Sequence, residues 1–173
     1  TTSTILMKLD NKLRECGYIS LIINTNHNID VEIANLDNLW RLNVEGIIIL
    51  ATQVTSEHKS FVKSGKLPVL FVGQYCSNGY SIVNDEVKAG RKMGKRVLKS
   101  HPKNILYIGV DESDTMVGKN RRDAVFKVLM EDKLINIEEI KSDFSLETTE
   151  KLLDSYLRLK KPDLIISATD NMA

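Results

Sequence analysis

The side chains best equipped for chemistry in this chain are hydrogen-bonding groups rather than nucleophiles. Arg121 carries five N–H donors in a rigid fork, suited to neighbouring hydroxyls or a carboxylate. Thr169 and Asp170 directly follow an apolar run at residues 163–167. Gln74, after Gly73, donates and accepts through one amide. Phe144 offers an aromatic face against which the apolar face of a ligand can pack. Each has a plain alternative: Arg121 as a surface residue beside Arg122, Asp170 as the cap of a helix starting at Asn171, Phe144 as core, and Ser113, Asp114 and Thr115 as a solvated loop. His27, His58 and His101 stand apart from one another and from nucleophiles. Cys16 and Cys76 form no CxxC and read as buried free thiols. The chain has no GxGxxG, no GxxxxGK[ST], no Ser-His-Asp arrangement and no metal-ligand spacing. These residues therefore point to reversible binding of a polar ligand, with no cofactor and no metal, rather than to catalysis.

Such residues need elements to hold them, and the chain alternates in a way that supplies them. Ile5, Leu9, Leu13 and Cys16 recur at helical spacing before Gly17. Residues 18–24 (YISLIIN) then read as a buried strand. A helix through Ile33, Leu36, Leu39 and Trp40 comes next, with Trp40 as core or dimer interface. Strands are expected at residues 44–50 and 67–72 around a polar helix at 56–64, and a short one at 81–83. Asn84-Asp85 caps a helix reaching about Lys99, whose Lys88, Arg91, Lys92, Lys95, Arg96 and Lys99 read as a solvated face; contact with a phosphoprotein or DNA backbone is the sharper alternative. The pattern repeats with a strand at 104–110, a helix at about 117–132, a weak strand at 137–140, a helix through Leu152 and Tyr156, and a strand at 163–167. Near-continuous apolar strands between amphipathic helices mean an α/β fold with parallel sheets covered on both faces. Two units are expected, residues 1–84 and 85–173. In open α/β sheets ligands bind beyond the carboxyl ends of strands, where Gly73, Gln74, Thr169 and Asp170 fall.

Apolar residues make 42% and charged residues 27% of the 173, the balance of a soluble globular protein. A net charge of +1 leaves no broad basic field to grip nucleic acid through phosphates alone. No run of 18 apolar residues is present to span a membrane. Thr1-Thr2-Ser3-Thr4 lacks the basic start of a signal peptide. The first element is a helix where a βα unit opens with a strand, and the last run ends at the start of a helix, so both ends read as cut.

Seven segments in order resemble the effector-binding core of LacI-family bacterial transcription regulators. They are Gly17-Tyr18, residues 44–50, residues 68–72, residues 82–90 (resembling VxxDNxxGG/A), Arg121 with Ala124-Val125 and Val128-Leu129 (resembling R-x-x-G-[FY]-x-x-A-L), residues 142–147 (resembling G-D-F-S-x-E) and residues 168–173 (resembling A-N-D-x-M-A). The resemblance implies a two-lobed, periplasmic-binding-protein-like fold of type I, here incomplete at both ends. It implies that Arg121, Thr169, Asp170, Phe144, Gln74 and Gly73 face a sugar or sugar phosphate in the inter-lobe cleft. It also implies operator DNA binding through a helix-turn-helix outside this chain, a homodimer, and a cytoplasmic protein with no membrane partner. Two departures concern the ligand. Thr169 stands where the family commonly has Asn, and Gly73-Gln74 where many members have Asp-Arg. The neutral pair is consistent with a neutral polyol and resembles the sucrose- and trehalose-type branch of these repressors. An extracytoplasmic sugar-binding protein of an uptake system is the alternative; an enzyme of doubly wound fold is a third class.

Overall fold

The strand Asn104–Val110 organises the second half of the molecule, because its side chains go alternately to two covered faces. In a computed structural model, which describes residues 2–26 and 28–173, Ile105 and Tyr107 point into one apolar cluster with Val97, Val125, Leu129 and Ile166. Leu106, Ile108 and Val110 point into the other, with Met172. Successive strand residues face opposite sides of a sheet, so a strand buried on both must be apolar throughout.

Among the described residues there are two parallel three-stranded sheets. In chain order the elements are α1 (Thr2–Glu15), α2 (Ile29–Arg41), β1 (Ile47–Ile49), α3 (Ser56–Lys63), β2 (Val69–Val72), β3 (Tyr80–Ile82), α4 (Glu86–Leu98), β4 (Asn104–Val110), a π-helical segment Thr115–Arg121, α5 (Arg122–Leu129), β5 (Asn136–Ser142), α6 (Leu146–Leu157), β6 (Leu164–Ser167) and a 3₁₀ turn Asp170–Met172. The first sheet runs β1-β2-β3 and the second β5-β4-β6. In the second, Ile105 pairs with both Ile137 and Leu164. Asp163 fixes that register from the side: its carboxylate accepts from the backbone N–H groups of Asn104 and Lys103 at 2.7 and 2.9 Å. Those two bonds hold its pKa below the ordinary aspartate value.

The chain divides into two compact units, one ending at Asn35 and the other running from Leu36 to Ala173. In the first unit, α1 ends as its sequence predicts. Gly17 takes φ +85°, Gly17 N–H donates to Arg14 and Tyr18 N–H to Leu13, which is the paired closure of a helix on a left-handed glycine. The strand expected at residues 18–24 is not formed, and Ile19 is 96% exposed. The run is apolar enough for a buried strand, but a strand is held by its ladder, and none forms there. Cys16 is exposed, contrary to the buried thiol expected; Cys76 is buried. His27 lies outside the described residues.

In the second unit, Trp40 is not core. It is exposed, and Lys66 Nζ sits 4.5 Å from its ring centroid. The helix α4 meets the π segment and α5 through Gly90 and Gly94, four residues apart and so on one face. A Cβ at Gly90 would lie 2.5 Å from the Arg121 carbonyl oxygen and 2.8 Å from Ala124 Cβ. Gly90→Ala is accordingly expected to destabilise. Overpacking against backbone costs about 1–3 kcal/mol, which outweighs the gain of about 1 kcal/mol from replacing a helical glycine. Urea unfolding monitored by circular dichroism reads the difference; an unchanged or raised midpoint would mean the two helices separate freely there.

Candidate functional site

The site is built from the carboxyl ends of β2, β4 and β6. The connection after β4 turns back through Asp114, whose carboxylate accepts from Met116 N–H at 3.1 Å and Val117 N–H at 2.8 Å. This N-cap opens the π-helical segment, in which Lys119 N–H reaches back five residues to the Asp114 carbonyl. Such wide turns are rare and concentrate at functional sites. Gly118 permits this one, since a Cβ there would collide with the Asp111 carbonyl. The sequence expectation of a plain helix from about residue 117 misses it, because hydrophobic periodicity does not distinguish a five-residue hydrogen-bond closure from a four-residue one.

Arg121 stands at the end of the π segment and the start of α5. Its Nε and Nη2 both reach Glu86 Oε2 at 2.5 Å, and Nη1 donates to the Ala168 carbonyl beyond β6. Glu86 is 4% exposed and the Arg121 side chain 19%. Arg122 is engaged elsewhere: it forks onto Glu139 at 2.7–3.0 Å and stacks over Phe126. The adjacent arginines thus have separate tasks, one at the strand ends and one on Glu139 of β5. Between them Tyr107 is fully buried, and burial pushes its hydroxyl up to about 12, so it stays a neutral phenol.

Glu86 is not among the residues that read as functional from sequence. It sits one place after the cap Asp85, which accepts from Lys88 N–H at 2.9 Å as expected. An acid in a first helical turn reads as a complement to the helix dipole; nothing local to residue 86 announces a partner 35 positions away.

The other expected residues take distinct places. Thr169 comes directly after Ala168, and its Oγ1 is buried with no hydrogen-bond partner among the described residues. A buried hydroxyl left unmatched costs about 1–3 kcal/mol, so a ligand group reaching it would be favoured. Asp170 is exposed, and its carboxylate has no ion-pair or hydrogen-bond partner among the described residues. Phe144, at φ +68°, packs beside the cluster of Leu106, Ile108 and Met172. Gly73 turns the chain after β2 at φ +91°. Gln74 is buried at 4% and donates from Nε2 to Asp114 Oδ1 at 2.9 Å. Of the Ser113-Asp114-Thr115 loop, only Asp114 is buried. Arg121, Thr169 and Glu86 are therefore brought together around Ala168, while Gln74 joins Asp114.

Residues 3–173 match the family described as periplasmic binding proteins and sugar binding domain of LacI family. The chain belongs to this family.

The sucrose operon repressor of Staphylococcus xylosus is 32% identical over 158 residues, covering 89% of this chain and 48% of its own length. Catabolite control protein A of Priestia megaterium is 26% identical over 164 residues, covering 90% and 48%. The chain spans about half the length of the curated relatives it matches. Among solved structures, the Cra transcriptional dual regulator of Pseudomonas putida in complex with fructose 1-phosphate superposes with a TM-score of 0.83 at 18% identity, covering 96% of this chain and 63% of that one. The fold is thus that of type I periplasmic-binding-protein-like domains, and this LacI-family core carries the parallel, helix-covered sheets expected from its sequence. The described residues contain no helix long and apolar enough to cross a membrane and no cluster of three or more metal-ligating side chains.

Proposed function

We propose that this chain is the effector-binding core of a LacI-type transcriptional repressor, with a sugar or sugar phosphate held between lobes at residues 1–84 and 85–173. The observation that carries the reading is what stands at the carboxyl ends of the strands: the Arg121 fork on the Ala168 carbonyl, the Thr169 hydroxyl unmatched among the described residues, and the Gln74–Asp114 bridge. These groups suit a ligand rich in hydroxyls, with Phe144 and Asp170 as further contacts. The 32% identity to a sucrose operon repressor supports a regulator over an uptake protein of the same fold. In this reading operator DNA is bound by a helix-turn-helix elsewhere in the full-length protein, as a cytoplasmic homodimer whose two-fold axis suits a palindromic site. The core has no catalytic task.

A ligand acts on DNA binding only through unequal affinity for the two lobe arrangements. Full-length protein, titrated by fluorescence anisotropy onto its own promoter DNA, should bind, and a sugar that binds the core should shift that affinity by about 5–150-fold. A sugar that binds the core and leaves DNA affinity unchanged would exclude the sensor role.

A further inference from the structure

The charge at the strand ends limits which ligands can enter. Arg121 does not present a free positive charge, because Glu86 takes both Nε and Nη2 and is itself almost fully buried. Asp114 is also buried, and Asp170 has no ion-pair partner among the described residues, so three carboxylates stand against one guanidinium. The connections that leave the strands (residues 50–55, 73–79, 83–85, 111–114, 143–145 and 168–173) contain no lysine or arginine. Lys141, at the end of β5, is paired with Glu112 at 3.4 Å. Helix N-termini are ordinarily ready anion sites, yet those of α4 and the π segment are already occupied by the carboxylates of Asp85 and Asp114. A phosphate or carboxylate placed here would meet like charge without a free cationic fork to receive it.

We infer that the site selects an uncharged polyol, a sugar bearing neither phosphate nor carboxylate, and that Glu86 sets this selectivity by neutralising Arg121. The inference rests on the effector-sensor reading and narrows its ligand class. Arg121 then works as a hydroxyl donor held in a fixed orientation. Its two remaining N–H groups and the unmatched Thr169 Oγ1 are directional partners for neighbouring hydroxyls. Glu86 is a positioning residue: it acts on the ligand through Arg121.

The test is isothermal titration of the full-length protein with glucose, fructose, sucrose and trehalose, each paired with its 6-phosphate. A neutral member should bind at least about tenfold more tightly than its phosphate, since like-charge juxtaposition is strongly disfavoured at a binding site. Its affinity should change little with salt, as expected where no net charge is exchanged. In Glu86→Gln, which keeps an acceptor for Arg121 but frees its charge, the preference should fall by about tenfold or more, a ratio that a general loosening of the fold would not move. A phosphate ester binding the wild type more tightly than its parent sugar overturns the inference and leaves the sensor reading standing. An unchanged ratio in a folded Glu86→Gln removes Glu86 from the account. If no sugar of either kind binds, both fall. Should Glu86→Gln not fold, the wild-type ratio and its salt dependence still decide.

Discussion

Arg121→Ala should lower the stability of this protein by about 3 kcal/mol, roughly 6–12 °C in unfolding midpoint for a domain of this size. The size of the effect comes from what is left behind. Glu86 is 4% exposed and accepts two N–H groups from the guanidinium; without Arg121 its carboxylate is buried and uncompensated. The Ala168 carbonyl loses a donor as well. A buried pair is not in itself a strong source of stability, because desolvating both charges offsets most of their attraction. The expected signature is therefore non-additive: adding Glu86→Gln to Arg121→Met should recover most of the loss seen in Arg121→Met alone. A double-mutant cycle by thermal unfolding reads this, and simple additivity would mean that the two side chains do not share a buried environment. The same Arg121→Ala should also abolish sugar binding, which connects the stability of the core to its proposed work.

Leu129→Ala should cost about 2–5 kcal/mol with no change of charge. Leu129 is fully buried, in a cluster with Val97 of α4, Ile105 and Tyr107 of β4, and Ile166 of β6. Truncation opens a cavity where two helices meet the sheet, and close-packed interiors relax only partly around such a gap. Chemical denaturation should show the midpoint fall with the slope retained. A loss below about 1 kcal/mol would mean α5 shifts inward to fill the space. This cluster also fixes the seam at Gly90 and Gly94, so part of the loss should reappear as lowered affinity at the strand ends.

The second sheet is the most legible part of the fold. Residues 104–110 are apolar at almost every position, and only a strand covered on both sides calls for that composition. The Asp85 cap and the Gly17 helix stop are equally readable, because they depend on chemistry within a few residues. Residues 18–24 mislead for the converse reason: their composition describes a buried strand, but burial and pairing depend on neighbours that periodicity does not reveal. At the site, Arg121 is picked out as a candidate only by the motif it resembles together with Ala124, Val125, Val128 and Leu129; alone it reads as any surface arginine. Its partner Glu86 and the Gln74–Asp114 bridge are not legible, since they join residues 35 and 40 positions apart. Composition marks which residues prefer the interior; it does not say which two charges will meet there.

The π-helical segment has a consequence for how relatives of this chain should be aligned. A wide turn accommodates one residue more than an ordinary helical turn would. Deleting any one of residues 115–120 would let the segment close as an ordinary α-helix, and because the wide turn had absorbed that residue, the side chains downstream would keep their direction relative to the strand ends. Arg121 would stay against Glu86 and the Ala168 carbonyl. A one-residue gap at this place in a related sequence therefore marks a closed bulge with its angular phase kept, whereas the same gap within residues 122–129 would turn everything beyond it by about 100°.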